Sequence, residues 1–238
     1  MGNDRLIGIV LQARMGSTRL PGKMLMNILG HSVLWHNVER LRRVKRANAL
    51  VVAIPDTKAD DFLATYCQAE GWAVFRGSEE DVLGRYVACA EAWGFHHIVR
   101  ATGDCPLVDP HVVDAMIDLH LHEKADYTSS KNEVGCRVPN GTGLEMFSLA
   151  ALRRSHEKGW APNHREHINE FIMENCAEFT IAAYREPPEK CCPELDVTVD
   201  TMEDFLFVEQ IIRAFGGDHD RLTTEAIITW WSQAEGAR

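Results

Sequence analysis

The sequence predicts an α/β fold with a doubly wound, mostly parallel sheet. Short apolar runs alternate with amphipathic helical segments through the first half of the chain, which is the pattern of successive βαβ units. A loop rich in cations and glycine follows the first apolar run, where ligands bind in such sheets. The 238 residues, of which 45% are hydrophobic, suffice for a single domain spanning residues 1–238.

Strand and helix alternate regularly up to about residue 122. The predicted strands are 6–10, 49–54, 72–75 and 97–101, and the predicted helices are 32–44, 60–70, 79–93 and 110–122. Ser78 and Asp109 are residue types that cap helix N-termini, and Pro110 suits a first turn. Gly71 and Gly94 follow the ends of two helices.

The alternation is lost after residue 124. We predict strands at 127–130, 144–147, 179–184 and 196–199, and helices at 149–158, 163–174, 202–215 and 223–233. The segments 132–142 and 185–193 are irregular and contain turn-forming residues. The second half therefore predicts a small annex to the sheet within the same domain.

The loop 11–23 is the most informative stretch of the chain. It holds the cations Arg14, Arg19 and Lys23, with glycine and serine between them. Backbone amides and cations that converge at the end of a strand suit a polyanion such as a triphosphate. A basic surface turn is the alternative explanation.

The loop differs from a P-loop. That motif has four residues between its glycines and then Gly-Lys-Ser/Thr, whereas five residues separate Gly16 from Gly22, and Met24 stands in place of the hydroxyl residue. The sequence therefore indicates a phosphate-binding loop of another kind.

Composition limits the possible partners. The net charge of −10 disfavours nucleic-acid binding, so the basic loop is a local feature that favours a small anionic ligand. No apolar run approaches the roughly 20 residues of a membrane span. Residues 1–5 lead straight into the first strand, so we expect no signal peptide, no membrane partner and a cytoplasmic protein.

The cysteines predict neither disulfides nor zinc. There are 7 of them, no CxxC pair, and no HExxH spacing among the 11 histidines. We expect reduced thiols. The adjacent Cys191 and Cys192 could bind metal or oxidise, but we expect exposed loop thiols without a role.

Two aspartates occupy comparable places in the predicted fold. Asp104 follows the fourth strand, and Asp200 lies between a late strand and a helix. Carboxylates at strand ends face the ligand side of such a sheet, and with bound phosphates they would hold Mg²⁺. Alternatively, Asp104 stabilises the turn at Gly103 and Asp200 caps the helix 202–215.

These groups together predict nucleotidyl transfer. Arg14, Arg19 and Lys23 would hold the β- and γ-phosphates, while Mg²⁺ on Asp104 and Asp200 would stabilise charge at the α-phosphate. An acceptor with an acidic oxygen would need no strong general base.

Five sequence blocks also carry a resemblance to a known family. They are residues 12–23, 76–85, 100–107, 165–167 and 197–204, in order along nearly the whole chain up to about Phe215. The chain resembles the CMP-sugar synthetases, that is, the acylneuraminate and Kdo cytidylyltransferases, and most closely the spore-coat polysaccharide branch. The blocks at 12–23 and 100–107 are the most specific.

The resemblance implies a Rossmann-like, GT-A-like nucleotidyltransferase fold and an Mg²⁺-dependent transfer of CMP from CTP to an acidic sugar or related acid, with release of pyrophosphate. The catalytic residues would be Arg14, Lys23, Asp104 and Asp200. The nucleotide-binding residues would be Gln12, Ala13, Arg14, Gly16, Ser17, Arg19, Lys23, Gly77, Ser78, Arg85, Thr102, Gly103 and Asp104. The acceptor-binding residues would be Arg100, Asn140, Glu145, Arg165 and His167.

The resemblance also implies a homodimer paired through the segment 125–175, and a role in surface polysaccharide or glycoconjugate biosynthesis. Trp160, Phe171 and Ile172 are candidates for the dimer contact or for ordinary core positions.

Two positions depart from the family pattern. Thr102 stands where Kdo-activating relatives have glutamine, and Asn140 replaces the aspartate of a Pro-Asp-Gly run. Structural roles also remain open for His167, as a buried histidine, and for Arg165, as part of a solvated pair with Glu166.

Two rival functions have distinct sequence expectations. A glycosyltransferase shares this type of sheet but holds its metal through Asp-x-Asp, and Gly103-Asp104-Cys105-Pro106 stands there instead. A catalytically silent nucleotide-binding protein would bind CTP without turnover.

Overall fold

A seven-stranded sheet forms the centre of the computed structural model, which describes residues 6–235. The strands in chain order are β1 (Ile7–Gln12), β2 (Asn27–Ile28), β3 (His31–Ser32), β4 (Ala49–Pro55), β5 (Ala73–Gly77), β6 (His97–Thr102), β7 (Tyr127–Ser129), β8 (Glu145–Ser148) and β9 (Ile181–Ala183). The sheet order is β5-β4-β1-β6-β8-β7-β9, and β2 pairs only with β3. Within the large sheet β8 alone runs antiparallel to its neighbours. The predicted fold class is confirmed.

The helices cover both faces of this sheet. They are α1 (Val33–Leu41), α2 (Asp61–Ala69), α3 (Val82–Trp93), α4 (Pro110–Glu123), α5 (Leu149–Lys158), α6 (Pro162–Glu166), α7 (Glu170–Glu174), α8 (Met202–Ala214) and α9 (Thr224–Glu235). In the described part of the chain, none of them has the length and apolar character that a membrane crossing requires. Residues 1–5, where no signal peptide was expected, lie outside the described residues.

Alternate residues of the strands enter different cores. Ile9 and Leu11 pack with the apolar faces of α1, α2 and α4. Val10, between them, packs with α3, α5 and α7 on the other face. This alternation follows from the two-residue period of a strand, and it explains why β1 reads as a continuous apolar run. A third core joins α8 and α9 to the segment that ends at Val199.

The register of the sheet brings two distant loops together. β1 pairs in parallel with β6, and Gln12 lies opposite Thr102. The basic loop that follows Gln12 therefore begins beside the loop that carries Asp104.

The start of α3 differs from the prediction. Ser78 was expected to cap a helix beginning at residue 79, but the helix begins at Val82 and Asp81 is its N-cap, with Oδ1 accepting from the Gly84 N–H at 2.8 Å. Ser78 Oγ instead accepts from the Asp81 N–H at 3.0 Å. Both residues suit a cap, and the Ser78 bond forms a turn that precedes the helix.

The predicted helix 163–174 is two helices. It breaks at His167, whose backbone is extended (φ −109°, ψ 99°), before α7 begins at Glu170. The break leaves His167 exposed and Ile168 fully buried. Packing of Ile168 in the core therefore overrides the helical pattern of the local sequence. Phe171 and Ile172 are core residues.

Two further expectations are wrong. The segment 196–199 is not a strand but makes a single bridge from Asp196 to Asn140. All seven cysteines are free, yet Cys192 is buried in the third core and not an exposed loop thiol.

Gly8→Ala is expected to destabilise the fold by about 3 kcal/mol, because overpacking a tight core is costly. A Cβ at residue 8 would lie 2.1 Å from a ring carbon of the fully buried Phe95. Gly16→Ala is the matched control, since no atom lies within 4 Å of the added Cβ. Urea unfolding checks the pair, and equal stability of the two variants would contradict the packing.

Candidate active site

Lys23 lies at the centre of the site. It is 7% exposed and begins a short 3-10 helix, directly after Gly22, whose φ of 73° favours glycine. Its Nζ donates to the Val199 carbonyl at 2.7 Å and to Asp200 Oδ1 at 2.9 Å, and lies 3.7 Å from Asp104 Oδ2. One ammonium therefore draws together two carboxylates that are far apart in the sequence.

Backbone contacts fix the loop that carries Asp104. The Gly103 N–H donates to the Gln12 carbonyl at 2.9 Å, and the Val199 N–H donates to the Asp104 carbonyl at 2.8 Å. A Cβ at Gly103 would lie 2.5 Å from Met24 Sδ, so a larger residue would force the Met24 side chain to move. These bonds place the ends of β1 and β6 and the approach to α8 at one point.

Asp200 is not the cap of α8. Thr201 is the N-cap, and it forms a capping box with Asp204. The capping explanation for Asp200 is therefore wrong, and its carboxylate is free to face the basic loop.

The other two cations of the loop lie at its surface. Arg19 Nη2 is 3.0 Å from Asp200 Oδ1, and the side chain is 65% exposed. Arg14 is exposed and has no carboxylate partner within the described residues. The loop itself is anchored, because the Met15 N–H donates to Oδ1 of the buried Asp60 at 2.7 Å. Such an anchored loop with two exposed cations suits an incoming polyanion.

Two adjoining cavities form the cleft. The small cavity, of about 310 Å³, is lined by Gln12, Ala13, Arg14, Ser17, Thr18, Arg19, Lys23, Met24, Arg100, Thr102, Gly103, Asp104, His167 and Asp200. The large cavity, of about 680 Å³, is lined by Gln12, Arg14, Glu79, Glu80, Asp81, Val82, Arg85, Arg100, Trp160, Pro162, Arg165, Glu166 and His167. They share Gln12, Arg14, Arg100 and His167, so a ligand can extend from one into the other.

Asp81 positions Arg165 on the wall of the large cavity. Arg165 Nη1 lies 3.4 Å from Asp81 Oδ2, and its Nη2 donates to the His156 carbonyl at 2.9 Å. Burial alone would raise the pKa of Asp81, but hydrogen bonds from Gly84 and His156 and the charge of Arg165 lower it. The carboxylate therefore stays ionised and fixes the guanidinium.

Behind the cleft, Glu145 holds Arg100. The two residues are paired in register on β6 and β8, and Arg100 Nη1 lies 2.7 Å from Glu145 Oε2. Lys131 Nζ is 2.8 Å from the same oxygen, and Tyr127 donates to Oε1 at 2.8 Å. Burial alone would raise the pKa of Glu145, but the charges of Lys131 and Arg100 outweigh it and bring the pKa to about 2.

Glu145→Gln is expected to lower the free energy of unfolding by about 3 kcal/mol, because it leaves two partly buried cations, Arg100 and Lys131, without their buried counter-charge. The folded pKa of Glu145 lies below its ordinary value of 4.5. Its contribution is therefore complete above pH 4.5 and lost as the pH falls toward 2. Urea unfolding of the wild type and variant across this range should show the difference narrowing.

Glu178→Gln, at an exposed surface pair with Arg154, is the control. A pH-independent difference for Glu145→Gln would contradict the ionised cluster.

The structure brings most of the predicted site residues together. Those that line the cleft are Gln12, Ala13, Arg14, Ser17, Arg19, Lys23, Arg85, Arg100, Thr102, Gly103, Asp104, Arg165, His167 and Asp200. Those outside its walls are Gly16, Gly77, Ser78, Asn140 and Glu145. Asn140 lines a separate cavity of about 170 Å³ and donates to Asp196 Oδ2 at 2.9 Å. Glu145 reaches the cleft only through Arg100.

Sequence reasoning missed several wall residues. They are Thr18, Met24, Glu79, Glu80, Asp81, Val82, Trp160, Pro162 and Glu166. Asp81 lies inside the block 76–85 and close to the predicted helix start, so the sequence could have marked it as a candidate site residue. Trp160 is 85% exposed and follows a helix end, and no local pattern marks it as a cavity residue.

The family described as Cytidylyltransferase matches residues 7–213. The chain belongs to the cytidylyltransferase family. This cytidylyltransferase is 35% identical over 230 residues to the spore coat polysaccharide biosynthesis protein SpsF of Bacillus subtilis (strain 168), covering 94% of this chain and 93% of SpsF.

Two further likenesses support the assignment. The cytidylyltransferase is 30% identical over 193 residues to the 3-deoxy-manno-octulosonate cytidylyltransferase of Anaeromyxobacter dehalogenans (strain 2CP-C), covering 75% of this chain and 78% of the relative. A solved cytidylyltransferase from Leptospira borgpetersenii superposes with a TM-score of 0.90 at 31% identity, covering 98% and 96% of the two chains. The protein is therefore a CTP-dependent nucleotidyltransferase.

The acidic residues of the cleft fit a hard divalent cation. Asp104 and Asp200 offer carboxylate oxygens around one cationic position, with side chains 29% and 28% exposed. No group of three or more His, Cys, Asp or Glu suited to a metal occurs within residues 6–235. Mg²⁺ is commonly held by one or two carboxylates together with substrate phosphates, and these residues match that arrangement.

Proposed function

We propose that this cytidylyltransferase transfers CMP from CTP to an acidic sugar or a related small acid, with Mg²⁺, releasing pyrophosphate. One observation carries the proposal: Lys23 gathers Asp104 and Asp200 in the small cavity, beside a larger cavity whose walls include four guanidinium groups and four carboxylates. The likeness to SpsF supports a role in surface polysaccharide or glycoconjugate biosynthesis.

The residues of the small cavity bind the nucleotide phosphates. Arg14, Arg19 and Lys23 hold the β- and γ-phosphates and stabilise the departing pyrophosphate. Asp104 and Asp200 hold Mg²⁺, which neutralises charge on the phosphates when bound. An exposed Arg19 can leave Asp200 for a phosphate at little cost, because exposed ion pairs are weak.

The residues of the large cavity bind and orient the acceptor. Arg165, fixed by Asp81, and Arg100, fixed by Glu145, offer guanidinium groups to an acidic acceptor. The acceptor oxygen, in its ionised form, attacks the α-phosphorus, and the bond from that phosphorus to the oxygen that bridges it to the β-phosphorus breaks. The negative charge passes to pyrophosphate. His167 lines both cavities and would lie beside the reacting groups in this arrangement.

A pyrophosphate-release screen tests the proposal. CTP, ATP, GTP and UTP are each combined with Kdo-like, sialic-acid-like and phosphorylated small acids, with Mg²⁺. We expect release with CTP and an acidic acceptor only. In a parallel assay with a nucleotide sugar as the donor, release of the nucleotide would instead indicate a glycosyltransferase. CTP binding without turnover across the screen would indicate a silent nucleotide-binding protein.

Arg165→Gln separates acceptor binding from CTP binding. We expect the KM for the acceptor to rise at least about tenfold, since a charge-assisted hydrogen bond is lost, with the KM for CTP little changed. Arg153→Gln, at an exposed pair with Glu91, is the matched control. An unchanged acceptor KM would remove Arg165 from the acceptor site.

A homodimer through the segment 125–175 completes the proposal. The 85% exposed Trp160 lies in this segment and is a candidate for the dimer contact. Sedimentation equilibrium should give twice the chain mass of 26.8 kDa. A monomer at micromolar concentration would contradict this part alone.

A further inference from the structure

A second polar cavity lies apart from the cleft and shares no wall residue with it. It has a volume of about 470 Å³, between the end of α1, the start of α4 and the chain before α9. Its walls include the cations Arg40, Arg42, Arg43 and Lys45. Four cations around one cavity are unexpected in a chain of net charge −10.

The carboxylates near this cavity do not neutralise it. Asp109 is committed to Lys190 and Thr224, in contacts that bury it. Glu39, beside the cavity, forms ion pairs with Arg42 and Arg43. Asp220, in the cavity wall, forms an ion pair with Arg43.

Arg40 and Lys45 therefore have no carboxylate to pair with directly. Within the described residues, neither has a carboxylate within 4 Å, and Arg40 is 2% exposed. Nε and Nη1 of Arg40 donate to the carbonyls of Val108 at 2.7 Å and His219 at 2.6 Å. Carbonyls satisfy its hydrogen bonds, burial lowers the pKa of Arg40 to about 10, and the charges of Asp109 and Asp220 offset only part of that effect. A buried cation without a directly paired carboxylate favours a bound anion.

A pair of buried histidines, His36 and His219, determines which hydrogen-bonding group a ligand of this cavity must offer. His36 Nε2 lies 3.0 Å from the Ile28 carbonyl, which can only accept, so this nitrogen carries the proton. Burial lowers the pKa of His36, so the ring is neutral and its Nδ1 accepts. That Nδ1 is 3.1 Å from His219 Nε2, which must therefore be the donor.

His219 is consequently left with an unprotonated Nδ1. Burial and the nearby His36 and Arg40 lower the pKa of His219 to about 3, so the ring is neutral. Its Nδ1 is buried, has no hydrogen-bond partner within residues 6–235, and belongs to a ring on the cavity wall. An unpaired buried acceptor calls for a donor.

We propose that this cavity binds a small anion that also carries a hydroxyl, namely hydrogen phosphate or the phosphate monoester of a polyol. The anion's charge is met by Arg40 and Lys45, with Arg42 and Arg43 at the rim, and its hydroxyl donates to His219 Nδ1. The inference does not depend on the transferase reaction.

Phosphate titration of the full-length chain by calorimetry tests this site. The basic loop of the cleft also suits phosphate, so Arg19→Gln serves as the reference for that location. We expect a binding event that persists in Arg19→Gln and weakens about fivefold in Arg42→Gln and in Lys45→Gln, the upper range for an exposed charge pair. Arg46→Gln, an exposed neighbour paired with Asp118 outside the cavity walls, should bind like wild type.

Sulfate and a phosphate ester probe the hydroxyl. Sulfate has no O–H at neutral pH and should bind at least about tenfold more weakly than phosphate, because His219 Nδ1 stays unpaired. His219→Phe should remove that preference. Tighter binding of glycerol 3-phosphate than of phosphate would identify an ester as the ligand, and the reverse would identify the free ion.

Three results would overturn the site: wild-type phosphate binding in both Arg42→Gln and Lys45→Gln, loss of all phosphate binding in Arg19→Gln, or equal affinity for sulfate and phosphate. Arg42→Gln and Lys45→Gln change surface side chains, so the test is valid even if His219→Phe does not fold.

Discussion

Asp104→Asn is expected to abolish CMP transfer while the fold stays intact. The substitution keeps the size of the side chain but replaces one carboxylate oxygen with an NH2 group and removes the charge, so it weakens the carboxylate pair that would hold Mg²⁺ against the phosphates. Losses of a charge-stabilising group at a phosphoryl centre reach about a thousandfold or more, and we expect at least that. The measurement is pyrophosphate release at saturating CTP and acceptor.

Stability is the internal control for this variant. The Asp104 carbonyl, which accepts from Val199, is unchanged by the substitution, and the side chain is 29% exposed. Thermal unfolding should therefore shift little. Asp118→Asn, at the surface pair with Arg46, is the matched control and should retain full activity. Wild-type turnover by Asp104→Asn would remove this residue from the metal site.

Lys23→Met is expected to lower both turnover and stability. The variant loses the cation that faces Asp104 and Asp200, and it loses a phosphate ligand, so we expect turnover to fall at least about a hundredfold. It also leaves the Val199 carbonyl without its donor at 2.7 Å and two carboxylates without their shared counter-charge. We expect the free energy of unfolding to fall by about 2 kcal/mol.

Mg²⁺ discriminates between the two effects of this substitution. A divalent ion between the carboxylates should restore part of the lost stability of Lys23→Met, but not the lost turnover. Lys58→Met, at an exposed lysine outside the cleft walls, is the control. Full activity with lowered stability would make Lys23 a structural residue only.

The sequence predicted the site's centre because that centre follows from strand order. Once β1 and β6 are neighbours, the loops after Gln12 and Thr102 must adjoin, and their cations and carboxylate meet. Asp200 was also predicted to join the site, as a carboxylate after the predicted strand 196–199. That segment is not a strand, so the direct contact of Asp200 with Lys23 was not predictable from strand order.

Other features need the three-dimensional register. Glu145 was predicted to bind the acceptor, and only the cross-strand pairing of β6 with β8 shows that it is buried behind Arg100. Asp81 and Ser78 are both favourable N-cap residues, so N-cap propensity alone does not predict which of them caps α3. Trp160 reaches the cleft wall because α5 and α6 fold over the sheet, and no short-range pattern encodes that contact.

A crystal of the protein with CTP and Mg²⁺ tests the central claim most directly. We expect the triphosphate in the small cavity with Arg14, Arg19 and Lys23 on its β- and γ-phosphates, and one metal ion bound by Asp104 and Asp200. A nucleotide bound elsewhere, or a metal ion that contacts neither carboxylate, would contradict the account.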